Sequence, residues 1–182
     1  TAIEKYLYSE KLGRFLRGVY LLEDGSLEPD YTLESSLFAL FFCKVLPPDD
    51  PRVVNTMKAI QEGLWVKTEV GGIARYTDDY YFQQSQDIEN VPGNPWFICT
   101  LWLAQWYIAM AKGKEELAIA RKILEWVASH ALESGVLSEQ LHPYSGKPLS
   151  VAPLTWSHST FILAVVEYIE KYQELGLKNG KM

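Results

Sequence analysis

Asn94-Pro95-Trp96-Phe97-Ile98-Cys99-Thr100-Leu101-Trp102-Leu103-Ala104-Gln105-Trp106-Tyr107-Ile108-Ala109-Met110-Ala111 decides the fold. Asparagine then proline is a helix start, because asparagine caps the first turn and proline costs least at the first helical position. The side chains that follow are apolar on every side of a 3.6-residue period, so the spacing predicts a buried helix over 96–111. Such a helix must be wrapped by others, and the flanking sequence supplies them.

Upstream, Pro47-Pro48-Asp49-Asp50-Pro51 ends one helix and starts the next, predicted over 52–64. Before it, a second buried helix is predicted from Asp30 or Thr32 to Val45, carrying Leu33, Leu37, Phe38, Leu40, Phe41 and Phe42. The first is predicted over 2–17, where Ile3, Tyr6, Leu7, Leu12, Phe15 and Leu16 follow a helical spacing that ends near Gly18. Downstream of Lys112-Gly113-Lys114, a fifth helix runs to about His130 with Leu117, Ala120, Ile123, Leu124 and Val127 as its stripe. Pro153 opens a sixth, with Phe161, Ile162, Val165, Val166 and Ile169, which frays at Gly176.

The connections alternate in length. Those at about 18–30, 65–93 and 134–152 are long, and the two between them are short. In an up-and-down array, alternate connections emerge at one end, so the three long loops share a face, and long loops on a rigid scaffold commonly carry function. The second, fourth and sixth helices are the more evenly apolar, which makes them an inner layer and the odd helices an outer one. The expected fold is all-α, three α/α hairpins forming an arc, with residues 1–182 as one domain.

Bulk properties narrow the function. The chain of 182 residues is 48% hydrophobic, enough for one sizeable core. A net charge of −6 and no basic run argue against tracking nucleic-acid phosphates. The longest apolar stretches, 37–43 and 96–104, fall well short of the roughly 20 residues that span a bilayer. No signal segment opens the chain, so a soluble, cytoplasmic protein is expected. Cys43 and Cys99 both sit in apolar helical runs and read as buried thiols. The two cysteines and three histidines form no close ligand pair, so no metal is expected. The start at Thr1 hints at a processed or excised piece.

The third long loop holds the chemistry: Gly135-Val136-Leu137-Ser138-Glu139-Gln140, then Ser145-Gly146-Lys147-Pro148, then Leu154-Thr155-Trp156-Ser157-His158-Ser159. Glu139 stands among turn formers, aromatics and hydroxyls. It reads as a candidate general base beside side chains that suit a sugar, or as a solvated loop carboxylate.

Four segments in order resemble the C-terminal half of the family 15 glycoside hydrolases, the glucoamylases with glucodextranases and some trehalases. They are Gly71-Gly72 with Arg75-Tyr76, then Gly93-Asn94-Pro95-Trp96-Phe97-Ile98-Cys99-Thr100, Leu137-Ser138-Glu139-Gln140 and Leu154-Thr155-Trp156-Ser157. The resemblance covers nearly everything from about Leu27 onward. It implies about half of an (α/α)6 toroid and an inverting, exo-acting hydrolase that releases glucose from α-glucans. It matches Glu139 to the general base, Arg75 to the arginine that binds the terminal glucose, and Trp96 and Trp156 to aromatics of the sugar pocket. Tyr76 falls in the substrate-binding set with Arg75, and Gln140 flanks the base.

Inversion needs a base on one face of the sugar and a protonated carboxyl on the other, about 6.5–9.5 Å apart. No segment matches the family's acid motif. The loop acids Glu23, Asp24, Glu69, Asp78, Asp79, Asp87 and Glu89 have no such warrant. The chain is therefore expected to carry half a catalytic pair and to be inactive alone. Its implied partners are an α-glucan or glucosyl oligosaccharide and the N-terminal half of the same enzyme, with a homo-oligomer as a further option and no cofactor.

Each residue also has a plainer reading. Arg75 can pair with Asp78 or Asp79 at the surface, a contact worth little. Trp96 and Trp156 can be core, Trp65, Tyr80, Tyr81 and Phe82 can pack a loop, and His158 can be a hydrogen-bonded helix residue. Glu34-Ser35-Ser36 can be a helix start. The competing function is a non-catalytic module that binds α-glucan or associates with itself.

Overall fold

The computed structural model describes residues 1–177. Its first helix, α1 (Ala2–Leu7), is closed by a reciprocal cap in which Thr1 and Glu4 satisfy each other's backbone N–H groups. The helix predicted over 2–17 stops there. Strands β1 (Tyr8–Ser9) and β2 (Arg14–Phe15) turn back on each other instead, with Gly13 left-handed at φ 63°. The reversal lays Tyr8 opposite Phe15, rings edge to face at 5.2 Å, and Phe15 donates its N–H to Thr56 Oγ1 at 3.0 Å. Burying Phe15 completely outweighs a helical turn that would be mostly solvated.

The loop that follows holds a hairpin, β3 (Gly18–Leu21) with β4 (Leu27–Asp30). The second predicted helix, 30–45, shrinks to a 3-10 turn, Ser35–Phe38, and one helical turn, α2 (Ala39–Phe42). Its first third is extended because it pairs with a distant segment: Ser35 N–H donates to Arg75 O at 2.8 Å and Thr77 N–H to Leu33 O at 3.1 Å. At its other end Lys44 is left-handed, and the N–H groups of Val45 and Leu46 both close onto Leu40 O.

α3 (Pro51–Leu64) follows the sequence closely, with Asp50 accepting from Arg52 N–H at 2.9 Å and Pro51 in the first turn. Strands β5 (Ile73–Ala74) and β6 (Pro95–Trp96) come next, then α4 (Phe97–Met110). Eleven of the fourteen residues of α4 are buried, which makes it the axis of the molecule. α5 (Lys114–Ser129) packs along it. After β7 (Gln140–Leu141) and β8 (Pro148–Leu149), α6 (Thr155–Glu174) lies against both α4 and α5.

α6 departs from its predicted role. It turns Ser157, Thr160 and Ala164 inward, while Trp156, Ile162, Leu163, Val166 and Ile169 are exposed. The small residues let α6 approach α4 closely, and the large ones form an exposed stripe at helical spacing. Cys99 is buried as predicted, and burial pushes its thiol well above the ordinary range. Cys43 is not: it lies past the end of α2 and is exposed.

Short strands also correct the all-α expectation. β5, β6, β7 and β8 form one antiparallel four-stranded sheet in that order, although they come from two loops far apart in sequence. Each contributes only two residues, too few for an alternating pattern to show.

Candidate functional site

That sheet assembles the site. Ile73 faces Trp96 and Ala74 faces Pro95 across β5–β6, and Trp96 faces Gln140 across β6–β7. Arg75, one residue beyond β5, and Glu139, one residue before β7, are thereby brought to either side of Trp96. The backbone of Glu139 is held from both directions: its N–H donates to Val151 O at 2.9 Å and its carbonyl accepts from Phe97 N–H, at the start of α4, at 3.3 Å. The two serines beside it stiffen the loop, Ser138 Oγ donating to Gln140 O and Ser157 Oγ to Ser138 O, each at 2.7 Å.

Arg75 is gripped by Asp79 through two parallel bonds, Nε to Oδ2 at 2.9 Å and Nη2 to Oδ1 at 2.7 Å. Asp79 is 1% exposed, so this is not the surface pair of the plainer reading. Burial alone lowers the affinity of the guanidinium for its proton, but the Asp79 carboxylate reverses that and holds Arg75 above its ordinary range. The guanidinium lies over the ring of Trp96 at 4.7 Å, Tyr76 at 4.8 Å and Tyr81 at 5.4 Å, contacts that favour its planar cation. Its Nη1 makes no hydrogen bond within the described residues, and the side chain keeps 32% of its surface exposed. A fixed cation with a free N–H edge is suited to a neutral hydroxyl ligand.

Tyr76 carries a second cation on its ring, Arg17, at 5.4 Å. Burial raises its phenol above the ordinary range. Arg17 is in turn tied to Asp30 at 2.6 Å and lies 3.8 Å from Glu34. Burial likewise raises the Glu34 carboxyl, despite the N–H of Ser36 and the two nearby arginines. Glu34 caps its 3-10 turn by accepting from Ser36 N–H and bridges to Tyr76, in line with a structural start.

The six residues singled out from sequence thus divide. Glu139, Arg75 and Tyr76 lie at the sheet's rim, partly exposed. Trp156, 53% exposed in the first turn of α6 with its ring 5.8 Å from Trp102, offers an open aromatic face. Trp96 is only 4% exposed and is the floor beneath Arg75, which removes it as a free stacking surface. Gln140 is fully buried and cannot reach a sugar. Its Nε2 donates to Glu139 Oε2 at 3.2 Å, so it holds the Glu139 carboxylate. His158 accepts from Leu137 N–H at 3.0 Å and is part of the loop's frame.

Sequence reasoning missed three participants. Tyr81 reads as loop packing, yet its ring is 6.1 Å from Trp96 and under Arg75. Asn94 reads as a helix cap, but α4 has no side-chain cap and Asn94 hydrogen-bonds elsewhere. Arg17 had no signal at all, since its place depends on the hairpin.

Comparison with known proteins follows the same line. The model of glycosyl hydrolases family 15 matches residues 4–166. An uncharacterized glycosyl hydrolase of Methanocaldococcus jannaschii is 32% identical over 175 residues, 91% of this chain and 25% of that protein. A trehalase of Mycobacterium tuberculosis is 31% identical over 158 residues, covering 87% and 21%, and a glucoamylase of a Clostridium species 28% identical over 141 residues, covering 76% and 20%. The chain therefore spans about a quarter or less of the length of these relatives. Among solved structures, a bacterial glucoamylase complexed with acarbose superposes with a TM-score of 0.74 at 24% identity, over 93% of this chain and 27% of that one, a likeness of fold.

Proposed function

This chain belongs to glycosyl hydrolase family 15, and from that premise we propose that it carries the base side of an inverting glycosidase site. Glu139 takes a proton from a water molecule, which attacks the anomeric carbon from the face opposite the leaving group. Arg75, fixed by Asp79 and stacked on Trp96, donates its free Nη1 to hydroxyls of the bound sugar. Trp156 presents a ring to an apolar sugar face. The leaving oxygen is protonated by a carboxylic acid from polypeptide outside this chain.

A single observation carries the reading. One sheet register, Ile73 with Trp96 and Trp96 with Gln140, brings Arg75, Trp96 and Glu139 to one rim, which supports reading Glu139 as the base. The exposed stripe of α6 beyond its first turn supports a further half: Ile162, Leu163, Val166 and Ile169 form an apolar face of the kind that contacts another element. We assign that face to the preceding half of an (α/α)6 toroid. The substrate class is an α-glucoside, with trehalose and α-glucans both admitted by the relatives.

The test is hydrolysis of trehalose and maltose by this chain alone and by the complete polypeptide, each with and without Glu139→Gln. The expected result is no turnover by the chain, turnover by the complete polypeptide, and a loss of about 10²–10⁴-fold on substitution, the usual worth of a general base. Unchanged turnover in the variant refutes the assignment of Glu139. The alternative, a non-catalytic or self-associating module, is favoured by the same exposed stripe on α6. It predicts a dimer of the chain by sedimentation and no turnover by the complete polypeptide.

A further inference from the structure

We propose that Asn94 is a positioning residue for the base, acting through Gln140; this rests on the reading of Glu139 as the base. The Nδ2 group of Asn94 donates twice, to Phe82 O and to Gln140 Oε1, both at 2.8 Å. Gln140 Nε2 then donates to Glu139 Oε2 at 3.2 Å. Asn94 is 1% exposed and Gln140 not at all, so solvent does not exchange with these partners.

The direction of this chain is dictated by its ends. Phe82 O is a backbone carbonyl and can only accept; an ionised Glu139 can only accept. An amide has one accepting and one donating end. With its NH2 drawn to Phe82 O, Asn94 points its second hydrogen at Gln140, which must answer with Oε1 and so turns its own NH2 to Glu139. One carboxylate oxygen is thereby held, and Oε1 of Glu139, which meets no donor among the described residues, is left for the water's proton.

The surroundings over-determine the arrangement. Phe82 is left-handed at φ 56°, a conformation that is unfavourable for a non-glycine residue. Its carbonyl accepts from both Asn94 and Gln84 Nε2, the latter at 2.7 Å. Gly93, directly before Asn94, is pressed so closely that a Cβ there would lie 2.9 Å from Asp79 Cβ and 3.3 Å from Ala74 Cβ. The wall that fixes Asn94 is therefore the one that fixes the partner of Arg75. Strain held beside a functional group is a common way of keeping it in one geometry.

The deciding variant is Asn94→Asp, equal in size but unable to donate when ionised. Gln140 then turns its NH2 to position 94 and presents Oε1 to Glu139. In the complete polypeptide kcat is expected to fall about 10- to 100-fold, the order of the worth of one hydrogen bond to a charged group, with KM changed less than about threefold. The side-chain NH2 resonances of Gln140 in 15N-labelled protein are expected to move and lose protection from hydrogen exchange. In the unvaried protein they should exchange slowly, a measurement that needs no variant to fold.

Normal kcat in Asn94→Asp while Glu139→Gln is inactive overturns the positioning role and leaves the base standing. Lost kcat with unmoved Gln140 resonances, or rapid exchange of that amide in the unvaried protein, overturns it equally. Full activity of Glu139→Gln removes the base itself, and is a separate failure.

Discussion

Gly72 is where a single methyl group should do the most damage to the site's scaffold. Its φ is 91°, and a Cβ there would lie 2.8 Å from Pro95 Cβ, 2.8 Å from Trp126 Cζ2 and 3.0 Å from Trp126 Cη2. Neither neighbour can give way cheaply. Pro95 is part of β6, and the Trp126 ring is pinned by its Nε1 donating to Val70 O at 2.6 Å and by the rings of Phe97 and His130. For Gly72→Ala the left-handed backbone costs about 1–2 kcal/mol and overpacking typically about 1–3 kcal/mol. Together they give about 3 kcal/mol, which for a chain of this size lowers the melting temperature by about 6–12 °C.

The control is Gly135→Ala, where φ is 77° and a Cβ meets nothing within 4 Å. Only the backbone cost applies there, about 1 kcal/mol, since alanine also restricts the unfolded chain. Urea titrations of both variants beside the parent measure the difference directly. If the two lose the same stability, the contact of α5 with the sheet is not tight and the reasoning fails. Because β5 leads straight into Arg75, Gly72→Ala should also weaken sugar binding by the complete polypeptide, whereas Gly135→Ala tests the loop before Glu139 without crowding it.

Three further outcomes follow from local chemistry. Asp50→Ala removes the cap of α3 and should cost about 1 kcal/mol at neutral pH. Hydrogen bonding to Arg52 lowers the Asp50 carboxyl, so its stabilisation is present above the ordinary aspartate range and lost as pH falls through the lowered value; thermal melts should show the penalty shrinking in acid. Glu167 is shifted the other way, raised by burial against the single bond from Gln105 Nε2, so the protein is favoured below the ordinary glutamate range and loses that advantage as pH rises through the raised value. Glu167→Gln should melt higher than the parent at pH 7, with the two converging in acid. Finally, a thiol reagent should label Cys43 at once and Cys99 only on unfolding; rapid labelling of both would contradict the packing of α4.

Where the sequence was sufficient, the signal was local. Asp50-Pro51 starts α3 because a cap and a fixed φ act within one turn, and α4 is buried because its own residues leave no polar side. Where it was not, a distant partner overruled local preference. The stretch 31–35 reads as the start of a helix, but Arg75 and Thr77 offer its backbone strand-like hydrogen bonds. The stretch 8–15 reads as helix, but reversal buries Phe15 against α3.

The candidate site divides along the same boundary. By itself the sequence determined the four long helices, α3, α4, α5 and α6, and the family to which the four motif segments point, because spacing and motif order are properties of a chain. Only the tertiary structure decided that Trp96 is a floor, that Gln140 is buried and hydrogen-bonds Glu139, that Asp79 is buried beneath Arg75 and that Asn94 is not a cap. Those roles depend on two-residue strands from separate loops meeting in one register, and a hydrogen bond between residues 46 positions apart leaves no trace in the period of either segment.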